Sequence, residues 1–187
     1  DAWLVHGTHA VFADAPRGLD NPHQRGDIIL TDHSEVTLLM RFADCVPIML
    51  VDPFHRAIAM VHAGWQGTVK KAAAVAVECM VQRFNSRPAE ILAGIGPSIG
   101  PDHYQVGEEV IQIIIKSLKS NLDEILVMKG GDTFFDLWLA NQLILEQAGV
   151  RKIENSGLCT ACDLTRWFSH RAEKGKTGRM GAVLALD

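Results

Sequence analysis

Short apolar runs separated by Asp, Gly, Pro or Ser dominate the first third of the chain: Ile28-Ile29-Leu30, Val36-Thr37-Leu38-Leu39-Met40, Val46-Pro47-Ile48-Met49-Leu50-Val51 and Ala57-Ile58-Ala59-Met60-Val61. Runs this short, bounded by turn formers, predict buried strands. From Thr68 to Phe84 the period changes: Ala, Val, Cys and Met recur three or four residues apart behind two lysines. That spacing predicts an amphipathic helix ending before Arg87-Pro88, since the residue preceding a proline disfavours helical backbone. Ile91 to Ile95 reads as a further short strand. Val110, Ile113, Ile114 and Leu118 predict a second helix over Gly107 to Leu118, with Glu108 and Glu109 in the first turn, where the helix dipole favours acids. A third helix runs from Phe135 to Ala148 and stops at Gly149, a residue suited to a left-handed cap. Ala13 to Gly26, with prolines at 16 and 22 and glycines at 18 and 26, reads as a surface loop.

The early strands follow one another too quickly for helical crossovers, so the sheet is expected to be mixed or antiparallel rather than doubly wound. The fold class is α+β, with mixed sheets and helices packed in layers. A length of 187 residues, 48% hydrophobic, suits one domain over 1–187 with a sizeable core.

Charge and cysteine usage narrow the function classes. A net charge of −4 supplies no basic field to attract nucleic acid or an anionic membrane. No stretch reaches the roughly 18 apolar residues of a membrane helix, and Asp1-Ala2-Trp3-Leu4 lacks the basic start and apolar centre of a signal peptide, which predicts a cytoplasmic protein. Cys45, Cys79, Cys159 and Cys162 are too few and too unevenly spaced for a disulfide framework, and are expected to be reduced thiols.

Three passages place a metal-ligand type at or beside the end of an apolar strand: Val5-His6-Gly7, Ala43-Asp44-Cys45-Val46-Pro47 and Val61-His62-Ala63-Gly64-Trp65. Two imidazoles and a thiolate suit Zn²⁺ with an open fourth position. Taken singly, a histidine beside a glycine is also a common turn residue and Cys45 a small core hydrophobe, and the spacing matches no compact zinc finger. Asp44 reads either as an orienting group or general base beside Cys45, or as a turn cap. Ser169, Arg171 and Arg179 in the C-terminal passage are candidates for binding an anion such as phosphate, the arginines through bidentate bonds; the same passage also reads as a basic solvated loop. Cys159-Thr160-Ala161-Cys162 is a lone CxxC without a thioredoxin context, and a structural role is expected in preference to a second metal. Gly94 to Gly100 carries Pro97 and lacks the acidic partner of a dinucleotide loop, so it reads as a turn near the site.

The three ligand passages, together with Gly94-Ile95-Gly96-Pro97-Ser98-Ile99-Gly100-Pro101 and Phe168-Ser169-His170-Arg171, stand in the order found in the laccase-domain, or multicopper polyphenol oxidoreductase, family, which this chain resembles over nearly its whole length. The resemblance implies zinc held by His6, Cys45 and His62 and a fold similar to certain bacterial toxin deamidases; Cys45 and His62, with Asp44 for its place beside Cys45, are the candidate catalytic residues. It further implies phosphorolysis of adenosine, inosine or methylthioadenosine, or adenosine deamination, with a purine nucleoside and phosphate as partners. Older assignments in the family imply copper-dependent phenol oxidation, and copper is expected to substitute for zinc in such a donor set. A non-enzymatic metal-binding module is the third reading; an inert zinc would be closed by a fourth protein ligand.

Departures from the family pattern temper these expectations. Gln66 stands where relatives commonly have Arg, and Asp102 and His103 where cysteine is common. His103 reads as an extra ligand, an acid or an ordinary loop histidine. Relatives also carry early strands and a glycine-rich, arginine-bearing turn before the VHG passage, whereas this sequence starts almost at it.

Overall fold

A computed structural model describes residues 1–187. Its centre is a sheet of six strands in the order β11-β8-β6-β7-β4-β2: β2 is Ala10–Phe12, β4 Ile28–Thr31, β6 Val46–Asp52, β7 Ala57–Ala63, β8 Leu92–Ile95 and β11 Lys152–Asn155. The central pairs β4–β7, β7–β6 and β6–β8 are antiparallel, and the outer pairs β2–β4 and β8–β11 are parallel. The sheet is therefore mixed, as the rapid succession of strands implied. β5 (Leu38–Phe42) pairs antiparallel with β12 (Met180–Leu184) in a separate ribbon, and β1 (Ala2–Trp3) pairs with β3 (Gln24–Arg25) inside the stretch expected to be loop.

Alternation along the strands produces the layers. Ile28 and Leu30, Val46, Ile48 and Leu50, and Ala57, Ala59, Val61 and Ala63 face one way and join the larger core. Ile29, Ile58 and Met60 face the other way, against Leu38, Met40 and Phe42 of the ribbon. All seven residues of β7 are buried because both faces are covered, which explains why that run is continuously apolar rather than alternating. On the larger face lie α2 (Ala72–Phe84) and α5 (Leu137–Gln147), with α1 (Trp65–Val69), α3 (Glu108–Leu118) and α4 (Leu122–Ile125) around them. Small residues on both sides, Ala57, Ala59 and Ala63 against Ala72, Ala73 and Ala76, let helix and sheet approach closely. Met80, fully buried beneath α2, fills this layer; Met80→Ala would cost about 2–5 kcal/mol.

The helix expected over 68–84 is two helices. Lys71 adopts left-handed backbone (φ 58°), ending α1 and restarting the chain as α2 at a new angle. Nothing in Lys70-Lys71 announces this break; it is imposed by the need to seat α1 against both β7 and α5, where buried Asn141 Nδ2 donates to Thr68 Oγ1 at 2.9 Å. α5 starts at Leu137, capped by Asp136, whose carboxylate accepts from Leu139 N at 2.9 Å, and Gly149 follows it at φ 93°. The residues just before it form a hairpin of β9 (Leu126–Lys129) and β10 (Asp132–Phe135), turned by Gly130 and Gly131, both at positive φ.

Candidate metal centre and its cavity

His62 lies near the C-terminal end of β7, Cys45 immediately before β6, and His6 in the turn between β1 and β2, where its φ is 57°. One ligand atom from each converges, all within 4.8 Å of one another. The two imidazole rings meet edge to face with centroids 5.1 Å apart. Gly64 makes this approach possible: a Cβ there would sit 2.7 Å from Cys45 Sγ and 3.6 Å from His6 Cδ2.

Asp27, fully buried at the start of β4, organises the cluster. Its Oδ1 lies 2.9 Å from His62 Nδ1 and accepts from His6 N at 3.0 Å, while Oδ2 accepts from Val5 N at 3.2 Å and Gly7 N at 2.7 Å. Burial pushes the Asp27 carboxyl up, but the bonds from His62 and the backbone hold it below its ordinary value, so it is ionised at neutral pH. An ionised acceptor requires Nδ1 of His62 to carry hydrogen, so Nε2 is the nitrogen that a metal would take. Burial raises the Cys45 thiol, and bonds with His6 and His62 outweigh that and bring it down to about 7. Burial likewise lowers His62, while Asp27 and Cys45 raise it to about 9. A borderline-soft donor set, converging and with one imidazole oriented by a carboxylate, fits a metal ion.

The cluster opens on a cavity of about 490 Å³, within the range of small-molecule sites. Arg41, Arg171 and Arg179 give it cationic walls, and Trp65 and Tyr104 give it aromatic ones. Arg179 immediately precedes β12, whose pairing with β5 sets Arg41 opposite Gly181, and both arginines line the cavity. Its guanidinium donates to the carbonyls of Thr177 and Gly178 at 3.1 and 2.7 Å. Arg171 donates to Gln105 O at 2.8 Å and lies over the Tyr104 ring at 4.8 Å, leaving further N–H groups free.

Asp44, at φ 80°, spends both oxygens on holding the C-terminal segment: it accepts from Thr160 Oγ1 at 2.7 Å and from Arg171 N at 2.6 Å. Ser169 is placed differently from the arginines. It is fully buried, its hydroxyl accepts from Ala172 N at 3.1 Å, and it does not line the cavity. Its role in this geometry is to shape the turn that presents Arg171. His170 does line the cavity.

The CxxC also finds partners. Cys159 and Cys162 stand with Asp102 and His103 in a second convergent cluster whose ligand atoms lie within 4.8 Å of one another. Sequence reasoning passed over Asp27, Arg41, Trp65 and Tyr104. Asp27 had a readable signal, an acid directly before a buried apolar strand, whereas Tyr104 and Arg41 reach the site only through tertiary packing.

A family model described as multi-copper polyphenol oxidoreductase laccase matches residues 2–187. The purine nucleoside phosphorylase of Deinococcus radiodurans is 39% identical over 183 residues, covering 97% of this chain and 68% of that protein. The purine nucleoside phosphorylase YlmD of Bacillus subtilis is 36% identical over 86% of this chain, which spans only 58% of it. Adenosine deaminase RL5, from an unknown prokaryotic organism, is 36% identical over 91% of this chain and 68% of its own length. The crystal structure of YlmD from Geobacillus stearothermophilus superposes with a TM-score of 0.86 at 33% identity, covering 97% of this chain and 71% of that one. With the match running from one end of the chain to the other, this protein belongs to the multi-copper polyphenol oxidoreductase laccase family.

Proposed function

We propose that this protein is a zinc-dependent purine nucleoside phosphorylase, transferring the ribosyl group of a purine nucleoside such as adenosine, inosine or methylthioadenosine to phosphate. The observation that carries the reading is the placement of three arginines, Arg41, Arg171 and Arg179, in one cavity with the His6-Cys45-His62 cluster. Deamination consumes only water and the nucleoside and needs no cationic wall; phosphorolysis needs an anion held against the sugar. Relatives named for phosphorolysis and for adenosine deamination support a nucleoside as the shared substrate class.

In this reading Trp65 and Tyr104 present aromatic faces to the base, and the arginines orient phosphate through charge-assisted bonds. His6, Cys45 and His62 would hold the metal, with Asp27 fixing the tautomer of His62. Bound there, zinc supplies a Lewis acid or lowers the pKa of a water. Asp44 works by positioning, because both of its oxygens are committed to Thr160 and Arg171.

A copper oxidase with coupled centres is the weaker reading. Such centres need many histidines, and of the eight in the chain only His6, His62 and His170 line this cavity. Copper in the His2Cys set is a substitute that would support slow adventitious oxidation.

The test is chromatography of products from metal-quantified protein incubated with adenosine, with and without phosphate. Free adenine formed only with phosphate, and lost in Cys45→Ala, is expected. Inosine formed irrespective of phosphate would move the assignment to deamination, and neither product from protein carrying zinc would sink the nucleoside reading.

A further inference from the structure

The cluster of Asp102, His103, Cys159 and Cys162 lies outside the residues lining the cavity and has no part in the chemistry above. His103 Nδ1 stands 3.7 Å from Cys159 Sγ and 3.7 Å from Cys162 Sγ, and 3.0 Å from Asp102 Oδ1. Tetrahedral zinc with arms of about 2.3 Å to sulfur and 2.0 Å to nitrogen or oxygen sets ligand separations of about 3.6 Å for sulfur–nitrogen and 3.3 Å for nitrogen–oxygen pairs. The observed spacings are close to both. Four donors within 4.8 Å of one another are more than a disulfide between Cys159 and Cys162 requires, and two thiolates with an imidazole and a carboxylate suit zinc.

The backbone prepares this arrangement. Gly100 N donates to Cys159 Sγ at 3.1 Å, a bond that favours the thiolate. Ser98 N donates to Leu158 O and Thr160 N to Ser98 O, at 3.1 Å each, strapping the two ligand-bearing segments side by side. A CxxC alone is at most half a zinc site, and the other donors arrive from a loop 56 residues away in sequence.

We propose that Asp102, His103, Cys159 and Cys162 form a second metal site that binds zinc and pins these two loops together. Both loops reach the cavity. His103 precedes Tyr104, which lines it, and Thr160, between the two cysteines, holds Asp44. The second ion is thus a clamp on residues that shape the first site, without touching it.

The test is zinc content by mass spectrometry of the full chain, stripped under reducing conditions and reloaded with Zn²⁺ alone, in four forms: wild type, Cys45→Ala, Cys159→Ser/Cys162→Ser and Asp102→Ala/His103→Ala. Two zinc ions per wild-type chain are expected, with one retained in Cys45→Ala and one lost in each of the paired variants. The exposed Asp102 and His103 side chains make the last variant the safeguard against misfolding in the cysteine pair. Retention of two ions by Asp102→Ala/His103→Ala, or one ion in wild type with Cys159 and Cys162 found as a disulfide or as free thiols by alkylation, would overturn the proposal. Because the readout is metal content and not turnover, the outcome is independent of whether the cavity processes nucleosides.

Discussion

Asp27 and His62 are joined by a buried 2.9 Å contact between Oδ1 and Nδ1, and the same carboxylate gathers the backbone N–H groups of Val5, His6 and Gly7. One side chain thereby fixes the orientation of one candidate metal ligand and the backbone turn that carries another. Asp27→Asn keeps the volume but replaces an acceptor oxygen with an NH₂ facing other donors. Zinc affinity at the cavity site is expected to fall about 10–100-fold, the usual effect of losing a partner that orients a metal-bound histidine. Competition with a chromophoric chelator measures it; unchanged affinity would show that His62 needs no orienting carboxylate.

Gly64 tests the packing of the centre without removing a ligand. The Cβ of Gly64→Ala would lie 2.7 Å from Cys45 Sγ, so the sulfur must turn away from the histidines. The fold has room to absorb this at about 1–3 kcal/mol, the range for overpacking a filled site. Zinc affinity is expected to drop at least tenfold while the melting transition remains cooperative. A variant that binds zinc as tightly as wild type would mean that Cys45 is not a ligand.

Much of this architecture was legible because it rests on local pattern. Buried runs at 28–30, 46–51 and 57–61 became central strands, and the helices ending at Phe84, Leu118 and Gln147 follow from apolar periodicity. The ribbon strand Met180–Leu184 was missed because its burial alternates weakly over a glycine, and the 126–135 hairpin because Gly130-Gly131 was not weighed as a two-residue turn. The three ligands were visible as residue types beside strand ends, but their convergence is a property of the sheet order, which places the turn carrying His6 beside Asp27 and the end of β7. Ser169 illustrates the limit from the other side: a serine between aromatic and basic residues suggested an anion contact, and the fold buries its hydroxyl, which accepts from Ala172 N and does not line the cavity.

Glu173 governs the segment that presents Arg171. Its carboxylate accepts from Ser169 N at 3.0 Å and from the Thr177 hydroxyl, and these bonds, the hydroxyl's first, hold its pKa below the ordinary glutamate value. A depressed folded-state pKa means the contribution is fully present above the unfolded value and is lost as pH falls through the folded one. Hydrogen exchange at the Ser169 amide is expected to gain protection as pH rises through the acidic range, after correction for intrinsic rates. Glu173→Gln should show the unprotected behaviour already at neutral pH. Equal protection in both proteins would remove Glu173 from this role.

Arg171 is the place to test the proposed division of the cavity between an anion and a base. Its backbone N–H is fixed by Asp44, its guanidinium is anchored on Gln105 O and the Tyr104 ring, and it lines the cavity together with Arg41 and Arg179. Arg171→Lys preserves the charge but loses the planar fork and the stacking on Tyr104. A charge-assisted bond lost here corresponds to about 1.5–3 kcal/mol, so the KM for phosphate should rise roughly 10–100-fold. The KM for adenosine should change by less, because the base contacts attributed to Trp65 and Tyr104 remain. Steady-state kinetics with each substrate varied in turn reads the difference. A rise confined to adenosine would assign Arg171 to the nucleoside and leave Arg41 and Arg179 as the phosphate ligands.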